Sequence, residues 1–158
     1  MTTYDAICRI WNMSEEVKIK QYQQLLSLIK NYVSTIYRSL DIPVGKVEAA
    51  THNNKPYVFA VYEENGRSVR MSDNQRPPVF RKDGVPKINF QVAIVLITDE
   101  RGEKIISIPC SVKIENNHEK LIVSGDVHQE FVVDDDYSVI EDAAEFFKTS
   151  VLLELSKS

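Results

Sequence analysis

A chain of 158 residues, 43% hydrophobic and 27% charged, has enough apolar material for one domain with its own core, which excludes wholesale disorder. Its net charge of −4 argues against bulk binding to nucleic acid or to an anionic membrane, since both call for a basic field. Two cysteines, Cys8 and Cys110, are too few for a disulfide framework and read as reduced thiols of a cytoplasmic protein.

The first residues lack a basic segment followed by a long apolar run, so no secretory signal is expected. No apolar run approaches the roughly 20 residues needed to cross a bilayer, and no membrane association is expected. Thr2 or Thr3 is placed to cap a short helix reaching Trp11, with Ile7, Ile10 and Trp11 on its buried side. A second helix is expected from Ser14, where Glu15 and Glu16 meet the positive helix end. Tyr22, Leu25, Leu26, Ile29, Tyr32, Val33, Ile36, Tyr37 and Leu40 recur every three or four residues and make it long and amphipathic. Pro43 and Gly45 close it after about 25 residues, or nearly 40 Å.

Strand signals follow. A weak first strand is expected over 46–51 with a turn at 52–55. Tyr57–Tyr62 is apolar on both faces and so belongs in the sheet interior. Asn65-Gly66 predicts a hairpin, because both central residues of a type I′ turn need positive φ. The returning strand, Ser68 to Ser72, is short. Residues 73–87 contain Pro77, Pro78, Pro86 and Gly84 and are expected to form a loop. Phe90–Ile97 is again apolar on both faces. After the turn at Arg101-Gly102, Ile106, Ile108, Cys110, Val112 and Ile114 alternate with Ser107, Pro109, Ser111, Lys113 and Glu115. Pro109 predicts a bulge or an edge there. Beyond the turn at Asn116-Asn117-His118, residues 121–133 alternate as one long final strand, bent by a bulge at Gly125.

Ser138-Val-Ile-Glu141 has the spacing of a capping box and opens a C-terminal helix. Ile140, Ala143, Ala144, Phe147, Val151 and Leu155 form its inner stripe. The expected architecture is a single α+β domain over residues 1–158. An antiparallel five- to six-stranded meander sheet is flanked by a long N-terminal helix and a C-terminal helix. This order, with the acidic balance, resembles that of small cytosolic chaperones and adaptors, secretion chaperones among them, in architecture and without a shared motif.

The motifs of the common chemistries are absent from the sequence. Four glycines sit at predicted turns and Gly125 within a strand, so neither a Walker A loop nor a dinucleotide fingerprint is present. Serine-nucleophile elbows and HExxH are absent, and Asp134-Asp135-Asp136 lacks the spacing of an EF-hand. Asp126, His128 and Glu130 share one strand face at two-residue spacing, which would bring metal ligands or an acid–base group together. With no second His or Cys pair nearby, that pattern reads as a solvated face. Cys8 and Cys110 read as small buried hydrophobes. No catalytic residue, metal or cofactor is expected, and the chain is read as a non-enzyme.

Charge is distributed unevenly. Residues 67–87 hold six basic against two acidic side chains, whereas 126–145 hold eight acidic and no Lys or Arg. The basic segment is expected to project from the sheet. The favoured reading is a small protein-binding module, an adaptor, chaperone-like protein or inhibitor acting by surface complementarity. Arg67, Arg70, Arg76, Phe80, Arg81 and Lys82 would grip an acidic protein partner. Tyr32, Tyr37, Phe146 and Leu153 exceed what one sheet face covers and would form a homodimer interface. The alternative is a nucleic-acid-binding protein that uses the same loop, with Phe80 stacking a base between Arg76 and Arg81. In either case residues 73–87 are expected to be the functional loop, being longer than an ordinary hairpin connection.

Overall fold

Two helices lie side by side on one face of an antiparallel sheet. The computed structural model describes residues 2–42, 56–72 and 74–157. In chain order these form α1 (Thr3–Ser39), β1 (Val58–Glu64), β2 (Arg67–Arg70), β3 (Phe80–Lys82), β4 (Val85–Thr98), β5 (Gly102–Glu115), β6 (His118–Ser124), β7 (His128–Val132) and α2 (Ser138–Ser156). The sheet runs β2-β1-β4-β5-β6-β7, with β3 paired to the free end of β4. The expected α+β class holds, with 7 strands rather than five or six. β1 and β4 each have neighbours on both sides, as their two-sided apolar sequences require.

Period-2 alternation decides which face is buried. Ile88, Phe90, Val92 and Ile94 of β4, with Ile106, Ile108, Cys110 and Val112 of β5, point to the helices. Leu121, Val123 and Phe131 extend this floor through β6 and β7. Leu25, Leu28, Ile29, Tyr32 and Ile36 of α1 and Ile140, Ala143, Ala144, Phe147 and Val151 of α2 close it from above. The two helices meet through Tyr32 and Phe147, edge to face at 6.4 Å and 87°. Cys110 is buried in this layer and desolvation pushes its thiol up to about 12, so it packs as the inert small hydrophobe that alternation predicts.

Several local expectations are corrected. α1 is one helix of 37 residues, about 55 Å long, and Ser14 does not restart it, because no Gly or Pro interrupts the chain there. Its cap is Thr2, whose hydroxyl accepts the Asp5 N–H at 3.1 Å while Asp5 accepts the Thr2 N–H at 3.1 Å. Ser138 makes no capping box. Tyr137 is the cap residue, at φ 57°, and the Asp136 carboxylate accepts the Ser138 N–H at 3.0 Å.

The long final strand is a hairpin. The chain reverses at residues 125–127, so Ser124 faces His128 across β6 and β7. Gly125 is small because α2 comes close: a Cβ there would stand 3.0 Å from Ser150 Oγ. Much of the 73–87 loop is also ordered as a hairpin. Asp83-Gly84, at φ 54° and 78°, returns β3 onto β4 with Phe80 opposite Lys87. The expected strand at 46–51, its turn at 52–55 and the helix-closing Pro43 and Gly45 lie outside the described residues.

Tyr32 carries the core's one hydroxyl among the described residues with no well-formed hydrogen bond, its only polar neighbour being the weakly bonding Cys110 thiol. Tyr32→Phe keeps the ring and removes that desolvated group. It should leave the urea unfolding free energy unchanged or raise it by about 1 kcal/mol. Phe147→Ala opens a cavity at the same contact and should lower it by about 3–5 kcal/mol. A clear loss on Tyr32→Phe would mean that the hydroxyl has an unseen partner.

Candidate functional site

The residues singled out from sequence do not converge. Tyr32 and Tyr37 form no outer surface; both are buried in the monomer. Tyr37 uses its polar tip inside, donating to the Val58 carbonyl at 3.1 Å and accepting the Val58 N–H at 3.0 Å. These two tyrosines of α1 are thus absorbed by the core. Phe146 is half-buried against Phe131, with ring centroids 5.9 Å apart, and Leu153 is 40% exposed on α2.

Nor does the basic segment project. Tyr22 of α1 donates to the Pro77 carbonyl at 2.5 Å, and Arg81 donates to Gln21 at 2.9 Å, which straps residues 77–81 along the helix. Arg67 and Arg70 stand at the two ends of β2, opposite Glu64 and Val61. Strand alternation turns Arg81 to the helix side, while Phe80 and Lys82 face the other way, onto the outer side of the sheet. Phe80 therefore cannot form a stacking slot with Arg81. On that outer face Lys87, Lys113 and Lys120 sit directly across from one another on three strands. Glu115 reaches Lys120 at 2.8 Å and Lys113 at 3.5 Å, and Glu130 reaches Lys120 at 3.3 Å, so the row is largely neutralised internally.

Asp126, His128 and Glu130 do not share one strand face, since only the last two belong to β7. Asp126 lies in the turn and pairs with Lys157, His128 Nδ1 is 3.2 Å from Ser124 Oγ, and Glu130 is taken by Lys120. Among the described residues no group of three His, Cys, Asp or Glu is placed to hold a metal ion. No described helix is long and apolar enough to cross a membrane.

The exposed site lies where sequence reading placed a buried stripe. The core-packed residues of α1 run from Leu25 to Tyr37, and the helix continues beyond them as an arm. Tyr4 is 74% exposed, Ile7 60%, Ile10 67%, Trp11 67%, Met13 58%, Val17 53% and Ile19 58%. Eighteen residues make about five helical turns, so Tyr4, Ile7, Ile10 and Trp11 repeat the phase of Tyr22, Leu25, Leu28 and Ile29. The arm thus presents the same apolar face as the packed half, with no sheet beneath it. A second stripe, Ile10, Met13 and Val17, lies at spacing three and four on its flank. Its six charged side chains balance: Asp5, Glu15 and Glu16 against Arg9, Lys18 and Lys20. Equal helical phase was the available signal, but phase identifies a face without saying what covers it.

Comparison with protein-family models, with curated proteins and with solved structures finds no match.

The arm's start depends on a titrating group. The Thr2 hydrogen bonds hold the Asp5 carboxyl below its usual range. A carboxyl depressed in the folded state stabilises above the ordinary value of about 4 and stops doing so as pH falls through the folded value. Amide exchange at residues 6–9 should therefore speed up below about pH 4 beyond its intrinsic trend. Asp5→Asn should abolish that step, while the urea midpoint of the body stays unchanged. An identical pH profile in the variant would show that the box does not hold the arm.

Proposed function

We propose that this protein is a protein-binding module working by surface complementarity, and that two copies associate through the N-terminal half of α1. One observation carries the reading: seven large apolar side chains of a single helical segment stand more than half exposed. A helix of this length without tertiary support is marginal in water, so a packing partner would stabilise the arm as well as cover it.

Charge favours a second copy as that partner. The arm is electrically balanced, so neither an acidic nor a basic partner is selected by it. An antiparallel copy that sets Ile10 against Met13 of the second copy also brings Arg9 near Glu16 of the second copy, and the twofold repeats the pair. With Tyr32 and Tyr37 buried, the proposed interface is Ile7, Ile10, Trp11, Met13 and Val17 rather than Tyr32, Tyr37, Phe146 and Leu153.

Trp11 is the chain's only tryptophan, so its emission reports this surface alone. Sedimentation at micromolar concentrations should show a dimer, and dilution should dissociate it with a red shift of Trp11 emission. Ile10→Asp should weaken association by about 10- to 100-fold, or roughly 1.4–3 kcal/mol. A strict monomer with water-exposed Trp11 emission at every concentration would refute self-association through the arm.

A further inference from the structure

We propose that the free edge of β7 and the shallow groove it forms with α2 take an extended basic peptide as an added strand. The inference deepens the protein-binding reading by naming a partner chemistry, and it uses a surface separate from the arm.

β7 ends the sheet path. Val133 donates its N–H to the Glu119 carbonyl at 2.9 Å, on the β6 side. Main-chain groups alternate between the two sides of a strand, so those of His128, Glu130 and Val132 point away from β6. No described strand meets them. Edge strands are commonly blunted by lysine, proline or a bulge, and His128–Val132 contains none of these. The opposite edge, β2, carries Arg67 and Arg70 at its ends.

Beside the open edge runs a groove of about 510 Å³. Phe131, Val139 and Phe146 form its apolar floor and Asp142 and Glu145 of α2 stand around it, while Glu130 points to the opposite face of β7. Phe146 rests edge-on against Phe131, which leaves a half-buried aromatic surface available as an anchor. An added strand would place alternate side chains over this floor and hydrogen-bond its backbone to β7, the geometry of β-augmentation.

Charge names the occupant. Residues 126–145 carry eight acidic side chains, one histidine and no Lys or Arg. Glu130 is shared with Lys120, and Glu145 accepts from Ser39 at 2.9 Å with Lys148 3.9 Å away, yet the rim remains net acidic. A strand alternating Val with Lys or Arg would set Val over the floor and its basic side chains on the outer face beside Glu130, within the acidic field to which Asp142 and Glu145 contribute. A second copy fits poorly, because pairing β7 with β7 would bring two acidic rims together.

The test uses the full chain and a fluorescein-labelled Lys-Val-Lys-Val-Lys-Val-Lys peptide. Anisotropy should show saturable binding, with amide shifts centred on His128, Glu130 and Val132. Replacing Lys by Glu in the peptide should weaken binding at least tenfold, as should N-methylating the amides of one strand edge. Phe146→Ala should weaken it about tenfold. Asp142→Lys, at an exposed position that leaves the core alone, should do the same should Phe146→Ala compromise folding. Ile10→Asp, which targets the arm, should leave peptide binding unchanged, so the two proposals fail separately. Absence of binding overturns the inference. So does equal binding of the N-methylated peptide, or indifference to Asp142→Lys, since either would mean mere adhesion to an acidic surface. Concentration-dependent broadening of the β7 amides in Ile10→Asp without peptide would place a second copy on the edge and overturn it too.

Discussion

Everything in this fold hangs on the register of β4 against β5. The two strands pair without interruption from Lys87 opposite Lys113 to Thr98 opposite Gly102. A slip of one residue would turn Ile106, Ile108, Cys110 and Val112 to the outside and put Ser107, Pro109, Ser111 and Lys113 beneath the helices. The turn before Gly102, which sits at φ 78°, fixes where the pairing starts. β1 and β3 then add along one side of β4 and β6 along the far side of β5. Pro109 is tolerated in so central a strand because β6 pairs with β5 only from Cys110 onward.

The sheet covers only part of α1. Six strands about 4.8 Å apart give a width near 25–30 Å, and α2 already covers β5, β6 and β7. α1 can bury itself over β1, β4 and β5, yet it is about 55 Å long. The core-packed residues of α1 begin at Leu25, and the part before them overhangs. A polar overhang would be an ordinary solvated helix end. This one repeats the core-facing phase of its own packed half, and that makes it a surface rather than an extension.

Much of the fold was legible because alternation and turn chemistry act locally. Asn65-Gly66 and Asn116-Asn117 both take the positive φ that their residue types tolerate, and the β5 alternation reads directly as one buried and one open face. What escaped depends on covering. A helical stripe looks the same whether a sheet lies beneath it, as for Tyr32, or nothing does, as for Trp11. Composition misled in the 67–87 segment, where proline and charge suggested a projecting loop. Tyr22 and Gln21, some 55 to 60 residues away in sequence, tie it down instead. Gly125 was read as a bulge because close approach of α2 is a tertiary fact, carried by Ser150 rather than by its neighbours in the chain. The acidic stretch was visible as a composition bias, but its relation to an open strand edge emerged only once residues 121–133 resolved into a hairpin.

The arm and the β7 edge differ in kind and in place. Residues 21 and 22, where the arm meets the body, are held by the segment that leads into β3, on the β1 side of β4. β7 lies at the opposite limit of the sheet. Pairing two copies through their arms would therefore consume apolar helix surface and leave both β7 edges open. Such a dimer would present two acidic, strand-accepting edges on one particle, and a partner with two basic segments would gain from local concentration without any new contact. The neutral, apolar arm is suited to self-association because it selects no charge. On the proposed reading the acidic edge suits a foreign chain, because a second β7 would bring a like-charged edge against it.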